Sequence, residues 1–375
     1  MKIAIVYDRV NKWGGAEQVV LALHEIFPDA PLYTAVYDEV KAPWAKVFPH
    51  IYTSFLQKLP ILKDNHELLG WLTPIAFETL DFSGYNLVVS VTSEAAKGII
   101  TSPATKHICY CLTPTRYLWS GYNEYLENPP KSLSWIPFYK TIAKPFLTYA
   151  KNWDKIASQR PDEYFAISHV VKKRIKKYYG RDSKVIYPPV NIANFQKPNS
   201  KNQTKIKLKN LNLDANSYFL VVSRLVPYKK VDVVIEAFNE LGLPLVVVGT
   251  GSEEGKLRKI AGKNIKFAGF VLDEDLVAYY QGAKALIHPQ DEDFGITSVE
   301  AQAAGVPVIA YKSGGALDTV IDGKTGVFFE KQEKKSLISA IKEFSNWKLN
   351  SNDFIYNSLR FSKESFKQKF KKLVF

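Results

Sequence analysis

The chain has only two cysteines, Cys109 and Cys111, and they stand two apart. Two are too few for a disulfide framework or a zinc site, and they fit a reducing cytosol. Long hydrophobic runs are missing as well: none approaches the roughly 18 to 20 residues needed to cross a bilayer. The first residues, Lys2-Ile-Ala-Ile-Val-Tyr-Asp8, meet an acid too early for a signal peptide and read as a first strand. No cluster of His, Cys and acidic residues has metal-ligand spacing, so no metal is expected. There is no repeat or low-complexity tract. Acid is in short supply, since 50 Lys and Arg face 37 Asp and Glu for a net charge of +13. That excess predicts an anionic partner, whether nucleic acid, anionic lipid or a phosphorylated substrate. No recognised nucleic-acid module accompanies the charge, so no nucleic-acid partner is expected.

What the chain does contain is 375 residues, 46% of them hydrophobic and 23% charged. That is an ordinary globular composition, too long for one core, so two domains are expected. Aromatic residues at 13% suit carbohydrate or lipid contact. Apolar runs at Lys2–Asp8, Leu32–Tyr37, Leu87–Val91, His107–Cys111 and Tyr164–Ser168 alternate with helical patterns at Ala16–Phe27 and Val170–Tyr179. Such alternation predicts an α/β fold with a parallel sheet covered on both faces. The first strand leads into Gly14-Gly15, where paired glycines let backbone N–H groups approach a phosphate, or simply make a tight turn. Residues 131–160 mix Lys with Trp, Tyr and Phe. They fit a helix lying on an anionic membrane, or an ordinary packed helix with a solvated face.

Pro188-Pro189 and the polar run Lys197–Lys205 mark a boundary, after which the alternation restarts. Strand Tyr218–Ser223 is followed by Arg224, Lys229 and Lys230, and strand Leu245–Val248 runs into Gly249-Thr-Gly251. The latter fails the dinucleotide fingerprint because its third glycine position is Glu254. Next, Ala285-Leu-Ile-His-Pro289 delivers the chain to Asp291-Glu292-Asp293-Phe294-Gly295, which opens a short helix carrying Ile296, Thr297 and Glu300. Unpaired N–H groups at that helix start suit a phosphate, and the two flanking carboxylates suit sugar hydroxyls. Thr297-x-x-Glu300 is equally a capping-box pattern. His107, His169 and His288 read as structural.

Taken together, Glu292-x7-Glu300 around Phe294-Gly295, Ser223-Arg224-Leu225 with Lys229, and Gly14-Gly15 resemble family 4 of the retaining nucleotide-sugar glycosyltransferases. Tyr110-Cys-Leu-Thr-Pro-Thr-Arg-Tyr117 and the stretches Phe55–Pro60 and Gly84–Ser93 are similar to a bacterial subgroup that mostly uses GDP-mannose in O-antigen and exopolysaccharide synthesis. The resemblance implies the GT-B fold, two Rossmann-like domains facing across a cleft. They would be residues 1–190, completed by a C-terminal helix at 352–375, and residues 191–351.

It also implies that Arg224 and Lys229 neutralise the departing diphosphate and Glu292 holds the sugar hydroxyls, these three being the catalytic set. Ser223, Phe294, Gly295, Ile296 and Thr297 would surround the donor, Glu300 would take the ribose, Val271 would line the base pocket, and Gly14-Gly15 would approach the phosphate. Leu112 and Arg116 would lie on the sugar and acceptor side. Two positions depart from the family pattern. Leu112 stands where the subgroup has His, and Lys230 stands where a Gly is expected, so either Lys229 or Lys230 could be the phosphate ligand.

The implied function is metal-independent transfer of a hexose, mannose from GDP-mannose, onto a glycan or lipid-linked acceptor. No cofactor is required, the nucleotide sugar being a co-substrate. The expected place is the cytoplasm, at the inner face of the cell membrane if the anionic surface is a partner. The alternatives are a UDP-sugar-dependent transferase of the same fold, an acceptor-independent relative of the epimerase type, and a degenerate, non-catalytic sugar- or lipid-surface-binding protein.

Overall fold

The computed structural model describes residues 1–59, 72–129, 133, 135, 136, 138–196, 216–347 and 350–375. The chain forms two compact units, one of Met1–Pro188 with Phe366–Phe375 and one of Pro189–Ser365. Runs such as Ile3–Tyr7, Leu87–Thr92 and Leu245–Val248 are apolar on both faces. They pack as the central strands of parallel sheets, where both faces are covered.

In the first unit, β1 (Ile3–Tyr7), β2 (Leu32–Thr34), β3 (Ile51–Thr53), β4 (Leu87–Thr92), β5 (Lys106–Cys111), β6 (Glu163–Ala166) and β7 (Lys184–Val185) form one sheet in the order β3-β2-β1-β4-β5-β6-β7. Every adjacent pair is parallel. The second unit holds β8 (Tyr218–Val222), β9 (Leu245–Val248), β10 (Ile265–Gly269), β11 (Ala283–His288), β12 (Val308–Tyr311) and β13 (Gly326–Phe329), all parallel, in the order β10-β9-β8-β11-β12-β13. Both are doubly wound arrangements of the 3-2-1-4-5-6 kind. In each, the winding reverses between the first and fourth strands, β1/β4 and β8/β11, and that reversal leaves a crevice at their C-terminal ends.

The second core gathers Phe219, Val221, Val234, Phe238, Leu245 and Ile287 between sheet and helices. The first gathers Ala4, Val6, Phe77, Val88 and Ile99. Cys109 and Cys111 are free thiols buried on β5.

The expected C-terminal helix at 352–375 needs correction, because it is two helices with different allegiances. Ser351–Leu359 stays in the second unit, where Asn357 Nδ2 donates to Gln302 Oε1 at 2.6 Å and to the Thr319 carbonyl at 2.8 Å. The chain then breaks at buried Phe361, which packs edge-on to Phe294 at 5.5 Å. The last helix, Lys363–Val374, carries Phe366 and Phe370 into the first unit against Tyr110 and Phe165, at 5.7 and 5.6 Å. The division falls at Pro188/Pro189 rather than after residue 190. The polar run 197–205 lies outside the described residues, as do Pro60 and Lys131.

Candidate active site

In the second unit, the two strands flanking the reversal deliver the charged residues. β8 ends at Val222 and hands on Ser223-Arg224-Leu225, while β11 ends at His288 and hands on the acidic loop. Two glycines on β9's exit make the first segment possible. A Cβ at Gly249 would stand 1.9 Å from the Ser223 carbonyl oxygen, and one at Gly251 would stand 2.2 Å from that of Leu225. The glycines that fail as a dinucleotide fingerprint therefore seat the strand end that bears Arg224.

Arg224 is exposed and donates from Nη2 to the Tyr228 hydroxyl at 2.7 Å. Lys229 is buried, lies over the Tyr228 ring at 5.3 Å, and forms an ion pair with Glu292 Oε1. Lys230 does something else. It takes the left-handed conformation, φ 53°, at the start of helix Val231–Leu241, and is half-buried. Lys229 is thus the lysine that meets the acidic loop, and Lys230 supplies the turn that a glycine would make at no steric cost.

The acidic loop is held from behind by Gly314-Gly315. The Gly315 N–H donates to the Glu292 carbonyl at 2.7 Å. A Cβ at Gly314 would meet that carbonyl oxygen at 2.3 Å, and one at Gly315 would meet the Phe294 Cα at 2.2 Å. Phe294 buries its ring and leaves its backbone at the loop. Gly295, φ 86°, is the N-cap of helix Ile296–Ala303, and no side chain caps that helix. The capping-box alternative is therefore a correction: Thr297 Oγ1 lies 3.4 Å from His288 Nδ1, and Glu300 is engaged elsewhere. Its Oε2 accepts from the Tyr280 hydroxyl at 2.8 Å, and burial pushes its pKa up to about 7, with Asp273 adding to the rise and Tyr280 opposing it. Val271 is half-buried in the turn after β10, between exposed Phe270 and Leu272. His288 is buried and held neutral, its pKa down at about 3 through burial and the nearby Lys229.

Gly14, Gly15, Leu112 and Arg116 belong to the first unit and sit on its own strand exits. Gly14 caps helix Gly15–Ile26, and buried Glu17 in that helix accepts from the Tyr7 hydroxyl at 2.6 Å. Asp8, at the end of β1, ties down the exit of β4. It accepts from Thr92 Oγ1 at 2.8 Å and from the N–H groups of Ser93 and Ala96 at 2.7 and 2.9 Å. Leu112 is half-buried just past β5, its N–H bonded to the Thr92 carbonyl at 2.8 Å. The loop that follows is pinned by a buried ion pair, Lys97 Nζ to Asp154 Oδ1 at 2.5 Å. Asp154 also accepts from Thr115 Oγ1 at 2.8 Å and Trp119 Nε1 at 2.7 Å. Burial lowers the Lys97 pKa, but pairing with Asp154 outweighs it, so the net shift is upward. His107 is structural as expected, with Nε2 2.8 Å from Ser90 Oγ and its pKa lowered to about 3 by burial.

Residues 202–361 match the family described as glycosyl transferases group 1. The chain has the GT-B fold of solved glycosyltransferases. A GDP-mannose-dependent monoacylated alpha-(1-6)-phosphatidylinositol monomannoside mannosyltransferase of Corynebacterium glutamicum is 32% identical over 197 residues, 47% of this chain and 51% of that protein. The O-antigen chain mannosyltransferase C of Escherichia coli is 28% identical over 159 residues, 40% of this chain and 43% of that one. The chain spans about half the length of the curated relatives it matches, 51% for the Mycobacterium tuberculosis mannosyltransferase. Among solved structures, Anabaena Alr3699/HepE in complex with UDP-glucose aligns over 100% of this chain and 99% of that one, with a TM-score of 0.71 at 19% identity. WaaG, a glycosyltransferase involved in lipopolysaccharide biosynthesis, aligns over 99% of both chains with a TM-score of 0.64 at 16% identity. These two share the fold.

Sequence reading missed Tyr228, Tyr280, Gly314-Gly315 and the Lys97–Asp154 pair. Of these, only Gly314-Gly315 carries a signal in the sequence, a glycine pair that marks a turn, here between β12 and helix Ala316–Thr319. The chain also carries a second candidate surface in its first unit. Helix Tyr139–Ala157 buries Leu147, Asp154 and Ala157 but exposes Ile142, Phe146, Tyr149 and Ile156, at spacings of a helical stripe, after an exposed Phe138. Exposed Lys140, Lys144 and Lys155 share the helix. Among the described residues no helix is long and apolar enough to cross a membrane.

Proposed function

We propose that the protein is a retaining, metal-independent hexosyltransferase that moves mannose from GDP-mannose to a glycan or lipid-linked acceptor. The observation that carries this reading is the meeting of Lys229, paired with Glu292, and Arg224 at the β8/β11 reversal, where doubly wound sheets bind nucleotides. Lys229 and Arg224 supply positive charge where a leaving diphosphate gains negative charge, and oriented charges there lower the barrier directly. Glu292 accepts from the sugar hydroxyls, the helix start at Gly295 faces the phosphates, and Glu300 accepts from the ribose. The bond from the anomeric carbon to the phosphate oxygen breaks while a bond to the acceptor oxygen forms on the same face. The acceptor's proton passes to the departing phosphate oxygen.

Mannose and guanosine are supported by the GDP-mannose-dependent mannosyltransferases of Mycobacterium tuberculosis and Corynebacterium glutamicum among its relatives. A UDP-sugar donor is the second reading, favoured by Leu112 at a position where the subgroup has an imidazole and by a fold shared with a UDP-glucose complex. The exposed stripe on helix Tyr139–Ala157, with its lysines, supports a peripheral site on anionic membrane at the cytoplasmic face, because aromatic residues settle at the headgroup level and lysines reach the lipid charge.

The test is a binding and hydrolysis panel of GDP-mannose, UDP-glucose, UDP-N-acetylglucosamine and ADP-glucose, run with and without EDTA. Tight binding and turnover of GDP-mannose, unaffected by EDTA, is expected. Selective turnover of a UDP-sugar moves the assignment to the second reading, and loss in EDTA restored by manganese overturns metal independence.

A further inference from the structure

Behind the acidic loop, four buried side-chain atoms have no hydrogen-bond partner among the described residues: His288 Nε2, Gln290 Oε1, Asp291 Oδ1 and Ser298 Oγ. Buried polar atoms are rarely left unpaired, so each of these four has hydrogen-bonding capacity that its protein neighbours do not use. His288 is the informative one. Gln290 Nε2 donates to its Nδ1 at 3.1 Å, and Thr297 Oγ1 stands 3.4 Å from the same nitrogen. An imidazole nitrogen that accepts an N–H bears no proton, so in the neutral ring the proton sits on Nε2. Glu292 Oε2 stands 3.8 Å from this Nε2, while the other carboxylate oxygen pairs with Lys229. Gly295 leaves room beside the ring, since a Cβ there would stand 3.3 Å from both Cε1 and Nε2.

Glu292 therefore lies between a lysine and an imidazole, hydrogen-bonded to neither nitrogen of the ring and committed to the lysine. An ammonium carries three N–H donors, and those that turn to a diphosphate are withdrawn from its pairing with this carboxylate. When the donor arrives, Lys229 turns toward the phosphate and Glu292 loses its partner. We propose that His288 is the positioning residue that then holds Glu292: its Nε2–H closes the remaining distance of about 1 Å to Oε2 and keeps the carboxylate turned to the sugar hydroxyls. The Lys229–Glu292 pair is the resting arrangement, and His288–Glu292 is the loaded one. Because burial keeps the ring neutral, it remains a one-proton donor throughout the neutral pH range and adds no charge that would compete with Lys229 for the diphosphate. This inference rests on the roles given to Lys229 and Glu292 under the proposed function.

The test compares His288→Gln, His288→Asn and His288→Leu in the full chain. Glutamine places an amide N–H near the position of Nε2, whereas asparagine reaches only that of Nδ1. The readouts are dissociation constants for GDP-mannose and for GDP alone, the rate of GDP-mannose hydrolysis, and Tm. UDP-glucose and UDP are run in parallel as the second probe pair. His288→Asn and His288→Leu are expected to lose about tenfold in the preference for sugar nucleotide over free nucleotide, and a similar factor in rate, with free-nucleotide binding unchanged. His288→Gln is expected to recover both.

Equal losses for sugar nucleotide and free nucleotide would overturn the proposal, as would asparagine restoring function as well as glutamine. If His288→Leu does not fold, the glutamine and asparagine pair decides alone. Glu292→Gln serves as the control. Full activity in that variant would mean that the role of Glu292 is wrong. A severe loss there, with His288 variants unaffected, would mean that this inference alone is wrong.

Discussion

Glu300 should make nucleotide binding release a proton. Its carboxyl lies against Tyr280 with a pKa near 7, raised from 4.5 mainly by burial, so at neutral pH the unliganded site is about half protonated. A ribose hydroxyl that donates to this carboxylate favours the ionised form. Binding at pH 7 should therefore expel roughly half a proton per nucleotide, rising toward one at pH 6 and falling to zero above pH 8. Affinity should correspondingly weaken as pH drops from 8 to 6.

The same shift has a stability consequence. The folded pKa lies above the unfolded value, so Glu300 favours the folded state below pH 4.5, and that contribution is lost as pH rises through 7. The shift corresponds to about 3 kcal/mol across the window as an order of magnitude. Glu300→Gln keeps an oxygen for Tyr280 but cannot titrate. Its Tm should fall less steeply than wild type between pH 4.5 and 8, and its GDP binding should be weaker at pH 8 with no linked proton. The assay is isothermal titration with GDP in two buffers of different ionisation enthalpy, alongside thermal unfolding across the pH range. Proton uptake on binding, or wild-type linkage surviving in Glu300→Gln, would refute the ribose assignment.

Other outcomes follow from the site and the first unit. Arg224→Ala should cut transfer about a hundredfold, roughly 3 kcal/mol of lost stabilisation of developing charge, while Tm stays put because the side chain is exposed; near wild-type turnover would remove Arg224 from the catalytic set. Lys230→Gly should raise stability by on the order of 1 kcal/mol in denaturant titration, since it relieves a left-handed lysine, and should leave turnover within a few-fold of wild type if Lys229 is the phosphate ligand. Vesicle flotation should show salt-sensitive binding to anionic membranes and none to neutral ones, reduced by Phe146→Ser and Ile142→Ser; equal binding to both lipids would discard the electrostatic account. Leu112→His should raise transfer from GDP-mannose without changing GDP affinity, because one added hydrogen bond to the sugar contributes roughly 0.5 to 1.5 kcal/mol; a slower variant of a fully active wild type would mean that the pocket is built around an apolar wall, and the mannose assignment would go first.

Local order in the chain determined most of the architecture. Buried parallel strands are continuous apolar runs, and Ile3–Tyr7, Leu87–Thr92 and Tyr218–Val222 are legible as such because their pattern needs no partner to be recognised. The short edge strands Ile51–Thr53 and Gly326–Phe329 were not anticipated, since three or four residues with a partner on one side carry little pattern of their own.

At the site, the motif residues were readable one by one, but their pairings were not. Whether Lys229 or Lys230 meets Glu292 depends on which of two adjacent side chains the turn directs toward the loop, and a backbone φ of 53° at Lys230 settles it. Thr297-x-x-Glu300 has the spacing of a capping box, yet tertiary packing sets Tyr280 beside Glu300 and leaves Gly295 as the cap. The glycines at 249, 251, 314 and 315 show the same limit. Sequence marks them as turns, while only the fold shows that each clears space for a backbone segment bearing a functional side chain. Periodicity is a property of neighbours along the chain, and a site is made by neighbours across it, so the sequence determined the sheets and the structure decided the contacts.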